Sequence, residues 1–246
     1  MPFTFSHPAI VLPATILPKR FYSLTGLIIG SMTPDFEYFI RMKGLSIYSH
    51  NLPGILWFDL PLGILLAFIY HGIVRDVFIA NLPNVLKVRL SKFCRFNWME
   101  YAKKNWLVVI ISLVVGAASH IFWDNFTHDN GFFVKYLPIL QHHIWIHGFP
   151  VPIYFLCQHL STVIGGILVL YYIFQLPKDE QYKSSFDVNY WVIICVISLI
   201  IIVFKILTGF NYRSFDQSIV TLIASGLISL TVTSWLFRNK VELLVK

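Results

Sequence analysis

The chain has 246 residues, 57% of them hydrophobic and 13% charged, with a formal net charge of +7, and its mean hydropathy is +0.68. So much apolar surface cannot be hidden in one soluble core of this length, which excludes a water-soluble domain and implies a bilayer protein. The basic residues sit in loops between apolar runs and do not alternate with stacking aromatics, which speaks against nucleic acid as a partner. The three cysteines, Cys94, Cys157 and Cys195, form neither a CxxC pair nor a disulfide framework.

In chain order, the opening Met-Pro-Phe-Thr-Phe-Ser-His-Pro has no basic region ahead of an apolar core and no cleavage site after it, so it is expected to stay on the mature protein. Thr4 or Ser6 as a cap, with Pro8 in the first turn, predicts a short helix through Ile10 to Leu17 that Pro18-Lys19-Arg20 breaks. A second short run, Phe21 to Met32, ends at Thr33-Pro34-Asp35. Neither reaches the roughly 20 residues needed to cross a bilayer. Five later segments do: Leu52 to Val74, Trp106 to Thr127, Val151 to Phe174, Trp191 to Phe210 and Ser218 to Phe237. The first carries Asp59 and Pro61, and a carboxylate there costs about 3 kcal/mol to insert, so it should face protein, holding the Pro61 kink or ligating an ion. Basic and apolar residues interleave from Arg75 to Asn105, which predicts that part of this stretch lies as an amphipathic helix on the membrane surface. The last two spans are nearly featureless apart from Lys205.

The expected fold is therefore all-α, a polytopic transmembrane helical bundle of about five full spans plus two short N-terminal helices. Residues 1–174 are expected to form a membrane-embedded domain and residues 175–246 a two-helix appendage. Segments 75–105, 175–190 and 238–246 hold 12 Lys and Arg against 6 in segments 1–51, 129–150 and 211–217, which assigns the first set to the cytoplasm. The N-terminal segment, His128 and the aromatic-rich loop with His142, His143 and His147 then lie on the outer side. That loop reads as an interfacial belt or a second ligand cluster. His71 reads as a packing residue near the cytoplasmic end of its span, and His159 as a hydrogen-bonding neighbour of Asp59 or Asp124.

Chemistry concentrates in Ser119 to Asn130, where His120, Asp124 and His128 recur every four residues. On a helix such steps drift only about 40° around the axis, so the three share one face. Two imidazoles and a carboxylate in line suit a divalent metal, and ionisable groups at a span are functional by default. Ser6-His7, Thr33-Pro34-Asp35-Phe36-Glu37 and Ser49-His50 border other apolar segments and can meet them at one membrane face. Together these clusters offer what hydrolysis at a metal needs: ligands for the ion, an open position for water and a carboxylate to take a proton.

A His near the N-terminus, Pro-Asp-x-(Asp/Glu), (Ser/Thr)-His before a span and Ser-His-x3-Asp-x-x-Thr resemble the membrane-bound metal-dependent hydrolases of bacterial inner membranes. Within them, Met-Pro-Phe-Thr-x-Ser-His-Pro at 1–8 and Gly-Ser-Met-x-Pro-Asp-Phe at Gly30 to Phe36 resemble an uncharacterised DUF4184-type branch, distantly similar to zinc-dependent phospholipase C. The resemblance covers about residues 1–160. It implies His7, Asp35, His50, His120 and Asp124 as ligands, to which the spacing adds His128. It also implies a divalent cofactor, zinc or else manganese or iron. The expected activity is hydrolysis of a phosphoester in a lipid or envelope-associated small molecule at the inner membrane, with Asp35 or Asp124 orienting water. An ion- or proton-relaying transporter or structural membrane protein is the other reading, and the oligomeric state is open. The chain departs from the pattern where Glu37 replaces a second Asp and where only His50 remains of a His-Arg-x-x-Thr-His element.

Overall fold

A computed structural model describes residues 3–180, 182, 186–210 and 214–242. Five of the described helices are long and apolar enough to cross a membrane: Leu52–Ala80, Trp106–Asp124, Ile153–Gln175, Val188–Leu207 and Phe215–Asn239. The protein is thus an all-α, multi-pass membrane protein, whose sheet among the described residues is one antiparallel hairpin, His143–Ile146 paired to Phe149–Pro152. The chain divides into two compact units that interleave along the sequence. One takes Met1–Asp35, Tyr48–Ile64 and Asn105–Tyr172, the other Phe36–Ile47, Leu65–Lys104 and Ile173–Lys246. This cuts the chain differently from the expected division at residue 174.

In the first unit the organising contact is between the short helix Leu24–Met32 and the span Trp106–Asp124. Small residues four apart line both surfaces, Gly26 and Gly30 on one helix, Ser112 and Gly116 on the other, and small residues let helix backbones approach closely. The approach is tight: a Cβ on Gly30 would lie 2.3 Å from the Leu113 carbonyl oxygen, and one on Gly116 would lie 2.5 Å from the Leu27 carbonyl oxygen. Polar atoms at the entry are matched as well. The Ser23 hydroxyl caps the short helix at Gly26 N–H, and Ser23 N–H donates to Ser112 Oγ at 2.8 Å.

The first span is irregular for a local reason. Pro61 lacks an N–H and its ring would strike the carbonyl one turn back. The preceding turn, Ile55–Asp59, is widened to a π-turn, and a second π-turn occupies Tyr70–Val74. Asp59 lies in the first of these, buried. At the N-terminal end of the span, Asn51 Oδ1 accepts from Gly54 N–H at 2.8 Å.

In the second unit, Phe39 packs with Val220 and Ala224, while Val77 and Ala80 pack with Tyr190 and Phe237. Asn81 ties its segment to the fourth span, its carbonyl accepting from Trp191 Nε1–H at 2.9 Å. The last two spans are therefore integral to a core that also uses residues 36–47 and 65–104. The stretch from Arg75 carries the helices Arg75–Ala80, Asn84–Leu90 and Trp98–Lys104; Leu82-Pro83 ends the first because Pro cannot continue the ladder.

Candidate metal centre

Asp35 enters the first unit on a 3-10 turn, Thr33–Asp35, that follows the short helix directly. His7 closes the N-terminal turn Thr4–Ser6, and His50 precedes the cap of the first span. His120 and Asp124 end the second span one helical turn apart. His7, Asp35, His120 and Asp124 are buried, and the half-buried His50 side chain is 20% exposed.

Four of their atoms form a closed ring. His120 Nε2 is 3.4 Å from Asp35 Oδ1 and 3.3 Å from Asp124 Oδ2, and His50 Nε2 is 3.6 Å from each of the same two oxygens. His7 Nε2 lies alongside, 3.7 Å from Asp124 Oδ1, with its ring stacked on His120 at 3.7 Å. These separations exceed those of N–H···O hydrogen bonds, 2.7–3.2 Å. They match the edge of a coordination tetrahedron instead: ligands about 2.1 Å from an ion sit about 3.4 Å apart. Consistent with that, His7 Nε2, Asp35 Oδ1, His120 Nε2 and both Asp124 oxygens are buried without a hydrogen-bond partner among the described residues. Two groups, His7/Asp35/His120 and His50/His120/Asp124, have the spacing to hold a metal ion. Both use His120, whose Nε2 has one lone pair, so they describe one cavity.

His120, Asp35 and His50 are each held by a contact on the far side of the side chain, as outer partners orient metal ligands. His120 Nδ1 lies 2.7 Å from the Ser31 carbonyl oxygen. A carbonyl only accepts, so Nδ1 carries a proton and Nε2 is the nitrogen left to face the ring. Thr4 Oγ1 donates to Asp35 Oδ2 at 2.6 Å, leaving Oδ1 for the ring, and Ser49 Oγ meets His50 Nδ1 at 2.8 Å. The helix contact at Gly30 and Gly116 is what brings the Ser31 carbonyl to His120. Thr4, Ser31 and Ser49 are supporting residues that the sequence did not single out for this work; Thr4 was expected to cap a helix.

Burial, then the His120 ring beside it, push the His7 imidazole down to about 3, so it keeps a free lone pair at neutral pH. Burial alone would raise the Asp35 carboxyl, but His120, His50 and His7 more than offset it and hold the group well below the usual carboxylate range. Among the described residues, Asp35 and Asp124 form their ion-pair contacts with histidine. Two carboxylates facing three imidazoles balance one divalent cation.

Of the expected residues, five converge and His128 does not join them. The helix stops at Asp124, so the every-fourth-residue pattern has no helix to act on at 128. His128 Nδ1 turns to the Asp124 carbonyl oxygen at 3.0 Å, and 3.8 Å separates it from Asp124 Oδ1. His159 Nδ1 meets the Phe155 carbonyl of its own helix at 2.9 Å, and the residue is exposed. His142, His143 and His147 are exposed on and beside the hairpin. His71 stacks on Trp98 within the second unit, and Glu37 there accepts from Arg41 Nε–H at 2.8 Å and from the Ile47 N–H at 3.0 Å.

The fold and the cluster define a class, a helical multi-pass membrane protein with a buried His/Asp ring at the end of a span. More narrowly, residues 1–235 match DUF4184, described as a domain of unknown function, and the chain belongs to that family. No curated protein and no solved structure matches it.

Proposed function

We propose that the chain is a membrane-bound metal-dependent hydrolase that cleaves a phosphoester in a lipid or envelope-associated substrate. The observation that carries this is the closed ring of buried His and Asp atoms at tetrahedral-edge spacing, three of whose residues, Asp35, His50 and His120, are held from behind. Asp35, His50, His120 and Asp124 would hold a divalent ion, zinc before manganese or iron given the His/Asp donor set. Bound there, such an ion supplies Lewis-acid polarisation and makes water reactive near neutral pH.

The two carboxylates then separate in role. Thr4 occupies the second oxygen of Asp35, so that residue acts as a ligand. Asp124 keeps Oδ1 without a partner and is the group able to take a proton at that atom. His7 Nε2 lies 3.7 Å from that oxygen. His50, the most exposed of the five, marks the side open to substrate. The Lys and Arg distribution assigns this side to the outer face of the inner membrane. A cysteine at Asn130 should then react with an impermeant thiol reagent in intact cells.

Elemental analysis of protein extracted in mild detergent tests the reading. Wild type should carry close to one equivalent of zinc, manganese or iron and hydrolyse bis(p-nitrophenyl) phosphate, and His120→Ala should lose both. Equal trace metal in the two proteins would remove the proposal. The ion- or proton-relay reading has one observation in its favour, a buried line of Gln217, Thr221, Ser225, Ser229 and Thr233 along the last span. It stands second because the line holds no ionisable side chain.

A further inference from the structure

The segment between the second and third spans holds an apolar surface that its own unit leaves uncovered. Strands His143–Ile146 and Phe149–Pro152 pair with Ile146 opposite Phe149, Ile144 opposite Val151 and Trp145 opposite Pro150. The two-residue turn is His147-Gly148, both with positive φ, at 49° and 83°, the geometry that matches strand twist in a tight hairpin. Opposed residues share a face and successive residues alternate. One face is therefore Ile144, Ile146, Phe149 and Val151, without a polar side chain. Ile144 is 46% exposed, Ile146 40% and Phe149 72%.

The ribbon's edges tell what kind of partner fits. The pair that closes a two-residue turn exchanges its backbone hydrogen bonds, and such pairs alternate along the ladder. Ile146/Phe149 and Ile144/Val151 are thus the inward-bonded pairs, and the next one is seen directly, with Ile153 N–H donating to the His142 carbonyl at 2.9 Å. The outward positions of the second strand are then Pro150 and Pro152. Neither has an N–H, so this edge offers no donor for another strand to pair with.

The spans say where the ribbon lies. The second span ends at Asp124 and the third begins at Ile153, and no described helix between them is long and apolar enough to cross. The connection therefore starts and finishes on one side of the bilayer, the side of Asp124. Residues 125–152 carry only Asp129 and Lys135 as formal charges, and Phe132, Tyr136, Ile139, Trp145 and Phe149 are exposed along them. That composition belongs to the aromatic layer at a membrane surface and not to a loop in water.

We propose that the hairpin docks its Ile144/Ile146/Phe149/Val151 face onto the interfacial layer of the leaflet that Asp124 faces. It stays at headgroup depth because its outward carbonyls, and the N–H groups of His143 and Trp145, need water or lipid oxygens as partners. The inference rests on the spans and the ribbon and is independent of the metal reading.

The test uses the full chain in nanodiscs of phosphatidylcholine and phosphatidylglycerol, with Phe149 replaced by the photo-cross-linker p-benzoylphenylalanine. After irradiation, mass spectrometry should find lipid adducts several-fold above those obtained with the probe at the exposed Asp129. A second chain with the probe at Ile146, on the same face, must agree, and unchanged thermal unfolding shows that each variant folds. Covalent dimers in place of lipid adducts would assign the face to a second copy. Lipid adducts no more frequent than at Asp129 would leave it in water or against protein. Either result overturns the proposal.

Discussion

Gly116→Ala changes one hydrogen for a methyl group, away from every ligand atom, yet it should weaken the centre. The added Cβ would lie 2.5 Å from the Leu27 carbonyl oxygen and 2.7 Å from the Ser31 nitrogen, both backbone atoms. Ordinary contact begins at 3.4 Å, so the helices must part locally by about 0.9 Å. Overpacking of this kind costs about 1–3 kcal/mol. The same displacement stretches the bond of 2.7 Å between His120 Nδ1 and the Ser31 carbonyl beyond hydrogen-bond range. Losing such an outer partner lowers metal affinity about 10- to 100-fold, or about 1.4–2.7 kcal/mol. Thermal unfolding in detergent and zinc titration against a competing chelator measure the two effects separately. Gly226→Ala is the control, since a Cβ there meets nothing within 4 Å, and it should be neutral or stabilising by up to about 1 kcal/mol. If Gly116→Ala matches wild type in both midpoint and affinity, the helix contact does not position His120.

Thr4→Val keeps the shape but deletes the donor to Asp35 Oδ2, and should reduce zinc affinity about 10- to 100-fold while Thr4→Ser retains most of it; chelator competition reads both. Asp35→Asn and Asp124→Asn should each lower metal content sharply, and the double variant should resemble either single one, because residues serving one ion are non-additive; additive losses would show two independent roles. His128→Ala should leave metal content near wild type, and a loss as large as that of His120→Ala would place His128 among the ligands. Stripping the ion with a chelator should lower the unfolding temperature, since free metal at 1,000 times its Kd stabilises by about 4 kcal/mol; an unchanged midpoint would mean that no ion is held.

The spans were legible because a run of about 20 apolar residues is one-dimensional information, and His120 with Asp124 because a spacing of four within such a run has one geometric meaning. His128 was included by extending that period past Asp124, where the helix ends without any apolar mark in the sequence. His7, Asp35 and His50 share no local period with that pair; their places beside apolar segments put them at one membrane face, and the family resemblance named them as ligands. The supports were harder still: Ser31 acts through its carbonyl, which every residue has, and its reach depends on Gly30 and Gly116 meeting across the helix pair. The interleaved units arise from packing between distant segments, which hydropathy does not encode.

The donors of the ring are also ordered in time. A ribosome delivers His7, Asp35 and His50 before any of the span Trp106–Asp124 exists, and these three sit on separate turns with no regular element in common. Bringing them together unaided would require closing several loops for few contacts. The glycine-lined surface of Leu24–Met32 has to wait for its partner helix, and only when that helix docks do His120 and Asp124 arrive, with Ser31 in position to fix the tautomer. A chain interrupted before residue 120 therefore presents scattered polar side chains, not a weakened version of the ring. Occupancy of the ring would report that insertion and helix docking in the first unit are complete, which makes metal content a measure of folding in the membrane as well as of chemistry.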